Sequence, residues 1–281
     1  MKTNKFYLHY LLFITSAVLF SSYNHAHSLE NAINSKDRSS KNISRDKYRN
    51  PYETLSFFEI KQDMTVVELS PGGGWYTEIL ANYIHNPGVV IAAHFDKDSD
   101  RDFYIRMRNN FENKVNQNPM YKNVKVVDLS SKLADEGSVD AVLTFRNLHN
   151  WIGPQIDLIF SNAHKALKQN GILGVVEHRA IPGTSLEEMR KTGYVTEEYA
   201  INIAQKHGFT LVSKSEINAN PKDTKDHPRG VWTLPPVLRL KEQDKEKYLN
   251  IGESDRMTLL FKNCLLYTSD AADDQRGVDL G

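Results

Sequence analysis

The chain of 281 residues is poor in cysteine and has no excess of charge of either sign. Its single cysteine, Cys264, excludes a disulfide framework within the chain and a thiolate metal site. Lys and Arg number 35, as do Asp and Glu, so the formal net charge of zero gives no indication of binding to nucleic acid or to an anionic membrane. A composition of 40% hydrophobic and 25% charged residues is ordinary for a soluble globular protein. The length suits one α/β domain.

The chain also lacks a hydrophobic run long enough to cross a bilayer comfortably. Phe6 to Phe20 is apolar and nearly uncharged, but it is shorter than the roughly 20 residues that a membrane-spanning helix needs. Lys2 and Lys5 precede this run and small residues follow it at 26–28, which is the pattern of a secretory signal peptide. We therefore predict that 1–28 is a cleaved signal peptide and that the mature protein is exported, to the periplasm of a bacterium, without stable membrane insertion. The alternative is that the segment is retained as an N-terminal membrane anchor.

The segments at both ends of the remaining chain are predicted to lie outside the fold. Residues 29–48 are polar and charged with no periodic apolar face, which indicates a flexible lead-in. Residues 264–281 lack sustained apolar periodicity and are similar to a translated sequencing adapter, so we interpret them as a non-native tail. The alternative is a natural, disordered acidic tail. The folded domain is therefore predicted to span 49–263.

Within this domain, β-branched runs alternate with amphipathic stretches. The predicted strands are 65–69, 89–95, 124–129, 139–145, 172–176, 209–213 and 257–261, and the main predicted helices are 51–60, 75–84, 103–117, 154–168 and 196–207. A capping box at Asn50 and Glu53 is predicted to start the first of these helices. This alternation predicts an α/β fold, a seven-stranded, mostly parallel sheet with helices on both faces. The Pro-rich stretch 218–250 is predicted to cover one side of the site.

A glycine turn follows the first predicted strand. Residues 68–74 read Glu-Leu-Ser-Pro-Gly-Gly-Gly and stand between a strand and a helix, where open α/β sheets bind ligands. The glycines let a ligand approach the backbone closely, and the following helix presents unpaired N–H groups. The spacing does not fit the dinucleotide fingerprint, because Thr77 or Trp75 occupies the place of its last glycine, and no Walker A Gly-Lys-Ser/Thr follows. A nicotinamide dehydrogenase is therefore disfavoured.

The same turn resembles motif I of class I S-adenosylmethionine-dependent methyltransferases, an acidic residue followed by G-x-G-x-G, with Ser70 in place of the first glycine. The segments 49–76, 93–96, 145–151 and 175–179 resemble a family of exported predicted methyltransferases, and the similarity covers about 50–263. The resemblance implies the Rossmann-like methyltransferase fold, S-adenosylmethionine as cofactor, and methyl transfer to an unidentified, small-molecule acceptor.

The resemblance also implies a cofactor site at the carboxyl ends of the first four strands. Glu68 would orient the amino group of the cofactor through the turn. Asp96 would hold the ribose hydroxyls, Asp128 would contact adenine, and Asn147 would lie beside the transferred methyl group. The implied cofactor-binding residues are Glu68, Ser70, Pro71, Gly72, Gly73, Gly74, Asp96, Asp128 and Asn147.

Polar residues after the fourth and fifth predicted strands are candidates for contact with the acceptor. His149 and His178 are candidate catalytic bases, because transfer to a hydroxyl or amine needs a base of near-neutral pKa. The candidate substrate-binding residues are Asn150, Trp151, Glu177 and Arg179. A structural alternative stays open for each group: His149 and Trp151 would cap the strand and pack the following helix, and 177–179 would form a hydrogen-bonded rim.

No spacing in the sequence matches a recognised metal-ligand motif, so we expect no metal ion. The predicted function is that of a methyltransferase that uses S-adenosylmethionine. The alternative is a non-enzymatic, exported Rossmann-like binding protein for another nucleoside-like or small ligand, because export removes the protein from the compartment in which this cofactor is made. The oligomeric state does not follow from the sequence.

Overall fold

A computed structural model describes residues 28–264 of the chain. The predicted signal peptide and the predicted tail, apart from Ser28 and Cys264, lie outside these described residues. Within 28–264, no helix is long and apolar enough to cross a membrane.

Within 28–264, seven strands form a single sheet. In chain order they are β1 (Thr65–Leu69), β2 (Val89–His94), β3 (Val124–Asp128), β4 (Val139–Phe145), β5 (Leu167–His178), β6 (Phe209–Ser215) and β7 (Arg256–Asn263). Their order across the sheet is β3-β2-β1-β4-β5-β7-β6. The five strands from β3 to β5 pair in parallel, and β7 pairs antiparallel with both β5 and β6. The predicted seven-stranded, mostly parallel sheet is confirmed.

Ten α-helices connect and flank the strands within the described part of the chain. They are α1 (Leu29–Ile33), α2 (Ser40–Ile43), α3 (Pro51–Phe57), α4 (Trp75–Tyr83), α5 (Asp102–Gln117), α6 (Leu148–Trp151), α7 (Pro154–Ala166), α8 (Leu186–Thr192), α9 (Glu197–Lys206) and α10 (Lys245–Ile251). Short 3-10 turns lie at Asp46–Tyr48, Pro119–Tyr121 and Gly230–Thr233.

Helices cover both faces of the sheet. Successive side chains of a strand point to opposite faces, so the apolar side chains of the central strands are buried against helices on both sides. Val67 of β1 belongs to a buried cluster with Ile159 of α7 and Ala204 of α9. Its neighbour Val66 belongs to a second cluster, with Leu55 of α3 and Leu80 of α4. Each such side chain contributes roughly 1.5–3 kcal/mol by leaving water. The near-continuous apolar runs of the central strands follow from this two-sided burial.

The residues of the candidate site lie at the edge of the sheet where the parallel strands have their carboxyl ends. The parallel strands β1, β4 and β5 all end at this edge, at Leu69, Phe145 and His178. The antiparallel β7 begins there, because Arg256 is paired with His178. The residues just before β7 therefore lie beside those that follow β4 and β5.

The prediction of a flexible lead-in over 29–48 is wrong for these described residues. They form α1, α2 and a 3-10 turn. Leu29, Ala32 and Ile33 are buried, and their spacing is that of one helical face, although it is too short to stand out as a periodicity in the sequence. The indole N–H of Trp75 in α4 donates to the carbonyl of Asn42 at 2.8 Å and holds the segment against the domain.

Two local expectations also differ from the structure. Asn50 adopts a left-handed conformation (φ 40°), its side chain makes no cap, and its amide donates instead to the carbonyl of Ile217. The capping box predicted at Asn50 and Glu53 is therefore wrong. Strand β5 begins at Leu167, directly after α7, and not at 172.

Candidate active site

The glycine turn after β1 is open towards solvent on the side where a ligand would lie. Ser70, Gly72 and Gly74 all have positive φ (50°, 58° and 79°), so the chain curls sharply between β1 and α4. A Cβ added at Gly72 or Gly73 would meet nothing within 4 Å. The hydroxyl oxygen of Ser70 is buried and has no hydrogen-bond partner. The turn thus offers both room and an unused polar group.

Glu68 supports this turn from beneath. Its side chain is 3% exposed, and the hydroxyl of Thr77 on α4 donates to its Oε2 at 2.6 Å. Burial raises the pKa of Glu68 to about 7, against the opposing effects of the Thr77 hydrogen bond and of Lys114. Glu68 therefore links β1 to α4 and does not itself line the cavity above the turn.

The main cavity lies above the turn and measures about 620 Å³. The predicted excursion 218–250 supplies part of its wall through Trp232, Pro235, Pro236 and Val237, as expected. Two smaller pockets adjoin it, and Asn150 lines all three spaces. The rest of the lining comes chiefly from the glycine turn, from the residues after β4 and β5, and from charged residues near both ends of the domain. These residues include Arg45, Arg49, Ser70, Pro71, Gly72, Gly73, Arg146, Asn147, His149, His178, Glu253 and Ser254.

The turn after β4 places Asn147 between the main cavity and one of the adjoining pockets. Arg146 has positive φ (63°) and its N–H donates to the carbonyl of Val176 on β5 at 2.7 Å. The amide of Asn147 donates to the carbonyl of Leu69 at 3.1 Å and so joins the end of β4 to the end of β1. The structure thus places Asn147 in the lining of the candidate site.

His149 is oriented by a fixed carboxylate. Its Nδ1 lies 3.1 Å from Oε1 of Glu177, which also accepts the N–H of His178 at 2.8 Å. The other oxygen of Glu177 accepts the N–H of Leu148 at 2.6 Å. Because a carboxylate held by backbone N–H groups acts as an acceptor, the proton of His149 is assigned to Nδ1, and Nε2 keeps its lone pair for the cavity.

His178 lies beside His149, with ring centroids 5.4 Å apart. Its Nδ1 is 2.5 Å from the hydroxyl oxygen of Ser254. Burial holds the pKa of His178 well below its ordinary value, and the charges of Arg146, Arg256 and Arg49 add to this effect. His178 is therefore neutral at physiological pH.

Two of the acidic residues predicted to hold the cofactor are engaged by other parts of the protein. Asp96 accepts the N–H and hydroxyl of Ser130 at 3.0 and 2.5 Å, and it lines one adjoining pocket. Asp128 pairs with the buried Arg108 at 2.9 Å and lines none of the three spaces. The buried side chain at the end of β2 is His94, whose pKa burial lowers to about 4 and whose Nε2 lies 3.2 Å from the carbonyl oxygen of Gly72.

Of the predicted substrate-binding residues, some line the cavity and others are held by contacts within the protein. Asn150 is exposed to all three spaces, whereas Trp151 is packed in the core and touches only an adjoining pocket. Glu177 is fully buried and contacts His149. Arg179 lies outside the cavity, because its guanidinium binds the carboxylates of Asp255, Glu197 and Glu216.

Sequence reasoning missed a group of charged residues that we call the arginine cluster. Four guanidinium groups surround the single carboxylate of Glu253, at closest distances of 2.7, 3.5, 3.7 and 3.2 Å. They belong to Arg45, Arg49, Arg146 and Arg256. Burial would raise the pKa of Glu253, but the four arginines together lower it to about 2. Only Arg146, at the carboxyl end of a predicted strand, had a position that sequence analysis could have singled out.

One group of side chains in the described part of the chain could hold a metal ion, although the sequence predicts none. Ligand atoms of His149, Glu177 and His178 lie within 4.8 Å of one another. Both oxygens of Glu177 already accept backbone N–H groups, however, and the nearby arginine cluster repels a cation. The donor set therefore fits a metal ion poorly.

Comparison with solved structures identifies the fold class. The chain is similar to a SAM dependent methyltransferase from Aquifex aeolicus, with 16% identity and a TM-score of 0.53 over 84% of this chain and 98% of that one. It is similar to geranyl diphosphate C-methyltransferase from Streptomyces coelicolor A3(2), with 11% identity and a TM-score of 0.54 over 83% and 87%. It is also similar to the [4+2]-cyclase SpnF, with 14% identity and a TM-score of 0.56 over 84% and 92%. No protein-family model and no curated protein matches the sequence.

The chain therefore has the Rossmann-like fold of class I S-adenosylmethionine-dependent methyltransferases. At these identities the similarity establishes the fold alone. One structural neighbour is named as a cyclase, so the reaction has to be argued from the site.

Proposed function

We propose that this protein is an S-adenosylmethionine-dependent methyltransferase. The observation that carries the proposal is the glycine turn itself, in which open space above Gly72 and Gly73 lies beside the unpartnered hydroxyl of Ser70. The turn stands at the carboxyl end of a central parallel strand, where α/β sheets bind their ligands. The cofactor would supply a methyl group on a positively charged sulfur, which is electrophilic.

The residues present fit such a cofactor. Gly72 and Gly73 leave room for its methionine portion, and Ser70 has a hydroxyl free to bond to it. Asn147 stands where the main cavity meets one adjoining pocket. The adjoining pockets contain Phe95 and Tyr104, whose rings stack at 4.0 Å and provide an apolar surface suited to a nucleoside.

We assign the general base to His149. Its Nε2 has a free lone pair, and Glu177 fixes the ring and stabilises the charge that develops when a proton is taken from the acceptor. The lowered pKa of His178 makes it a poor base, so its part is to pack beside His149 and to contact the acceptor. Export and a small-molecule acceptor remain part of the proposal, supported by the pattern of 1–28 and by a cavity of about 620 Å³.

The proposal is tested by calorimetric titration of the purified chain with S-adenosylmethionine and S-adenosylhomocysteine. We expect binding in the micromolar range, about −8 kcal/mol. Gly72→Asn should weaken it at least about tenfold, because the side chain fills the space above the turn and Asn tolerates positive φ. Gly137→Asn is the matched control, since Gly137 also has positive φ (63°) and nothing within 4 Å but lies away from the cavity.

A folded protein that binds neither compound would contradict the methyltransferase proposal. That result would leave the exported binding protein as the remaining hypothesis. Equal loss of affinity in both glycine variants would show that backbone strain, and not the filled space, is responsible.

A further inference from the structure

The arginine cluster carries more positive charge than the protein neutralises. Four guanidinium groups share the one carboxylate of Glu253, and three of them, from Arg45, Arg49 and Arg146, line the main cavity. Lys114 also lines the cavity, but it is paired with Glu78 at 2.9 Å. An excess of buried like charge is costly unless a ligand of opposite charge compensates it.

Within the described part of the chain, the guanidinium groups of the cluster also lack hydrogen-bond acceptors. Arg49 is 2% exposed, and its Nε and Nη1 are buried without a hydrogen-bond partner. Its closest approach to an anion is 3.5 Å, between Nε and Oε2 of Glu253. Arg146 approaches the same oxygen only to 3.7 Å. Each guanidinium presents five N–H donors in a planar fork that matches a carboxylate or phosphate.

The proposed cofactor does not remove the excess. S-adenosylmethionine has one carboxylate, but its ammonium and sulfonium groups give it a net charge of +1. Its binding would occupy one guanidinium and add positive charge to the cavity. A further anion is therefore needed, and the other molecule that the cavity must hold during methyl transfer is the acceptor.

We propose that the acceptor is a small anionic molecule whose phosphate group or paired carboxylates bind Arg49 and Arg146. This inference rests on the proposed function. Arg146 lies in the turn after β4, His149 follows three residues later in α6, and both line the main cavity, so an acceptor held by Arg146 has its hydroxyl or amine on the side of His149. Trp232, Pro235 and Pro236 also line the cavity and provide apolar contact for the rest of the molecule.

The test is titration of the purified chain with inorganic phosphate and with succinate, in chloride buffers of equal ionic strength. Each titration is made with and without saturating S-adenosylhomocysteine and followed by calorimetry and thermal unfolding. We expect saturable binding of at least one anion, and the tighter of the two indicates a phosphate ester or a dicarboxylate. Arg146→Met should weaken this binding by about tenfold or more.

Arg146→Met is expected to fold, because it removes one of four mutually repelling charges and keeps a side chain of similar length. Arg190→Met is the matched control: Arg190 is exposed and lies outside the cavity, so its loss should leave anion binding unchanged. Binding of neither anion, or equal binding by wild type and Arg146→Met, would overturn the inference. Failure of S-adenosylhomocysteine to bind while anions bind would instead overturn the proposed function and support an anion site.

Discussion

Two buried glutamates in this protein have pKa values that shift in opposite directions, because their neighbours differ. Glu68 has one hydroxyl hydrogen bond, and burial raises its pKa to about 7. Glu253 is as deeply buried, but four guanidinium groups lower its pKa to about 2. Burial alone therefore does not decide whether a carboxylate is charged; the number of close cations does.

At the residue scale, we predict that Glu68→Gln stabilises the protein at high pH. Below pH 4.5 Glu68 is protonated in both the folded and the unfolded chain and has no effect. Between pH 4.5 and about 7 only the unfolded chain loses the proton, so wild-type stability falls as pH rises. Above pH 7 the variant should be more stable by about 3 kcal/mol.

Urea unfolding at pH 4.5 and pH 8 measures this difference. Glu187→Gln on the exposed surface of α8 is the control. Its free energy of unfolding should differ from that of the wild type by the same amount at both pH values. Parallel pH dependence of wild type and Glu68→Gln would contradict the raised pKa.

The two histidines show how hydrogen bonding separates chemically identical side chains. Glu177 fixes His149 with its proton on Nδ1, so that Nε2 is free to accept a proton from a ligand. His178 has only the hydroxyl of Ser254 at its Nδ1, and it lies in the positive field of the arginine cluster. The sequence made both residues candidate bases, and their surroundings favour His149.

At the scale of the elements, α2 and the residues that follow it form a wall of the site and are not a detached leader. Trp75 holds them by its hydrogen bond to Asn42. The guanidinium carbons of Arg38 and Arg49 also lie over its ring, at 5.3 and 4.6 Å. Since Arg45 and Arg49 reach the cavity from this segment, its docking decides whether the arginine cluster is complete.

We predict that Trp75→Phe loosens this segment without unfolding the sheet. The variant loses a hydrogen bond and part of the cation–π attraction, so local opening should increase about tenfold. Trypsin should then cut faster after Lys36, Lys41 and Arg45. Trp232→Phe is the control, since Trp232 also lines the cavity but belongs to the segment 218–250. Unchanged cleavage in Trp75→Phe would show that other contacts of α1 hold the segment.

At the scale of the whole molecule, Glu253 connects three distant parts of the chain. Arg45 and Arg49 come from the N-terminal segment, Arg146 from the turn after β4, and Arg256 from the start of β7. One carboxylate therefore holds together segments that meet only in the folded state.

We predict that Glu253→Gln lowers the free energy of unfolding by about 3–5 kcal/mol at pH 7, because the buried Arg49 and Arg256 and two partly buried arginines lose their common anion. The pKa of Glu253 is lowered in the folded protein, so its stabilisation is present above pH 4.5 and is lost as pH falls towards about 2. The free energy of unfolding of the variant should therefore lack this fall between pH 4.5 and about 2.

Urea unfolding at pH 7 and pH 3 tests the prediction. Glu216→Gln is the control, since Glu216 pairs with Arg179 but is 68% exposed, and its loss should cost at most about 1 kcal/mol. Similar losses in the two variants would contradict the central part that we assign to Glu253.

The sequence by itself determined the seven strands and their succession along the chain, the main helices between them, and the glycine turn. These features are local: β-branched runs, helical periodicity and glycines between residues 68 and 74 act through neighbours in the chain. It also indicated His149, because residues that follow parallel strands meet at one edge. The resemblance of the glycine turn to a known motif implied Asn147.

Only the tertiary structure decided which charges meet. It paired Asp128 with Arg108 and Arg179 with Asp255, and so turned predicted ligand contacts into internal ion pairs. It also assembled the arginine cluster from segments about 200 residues apart, in which no local pattern is visible. Electrostatic energy depends on distances in space, and those distances exist only after the sheet has brought the segments together.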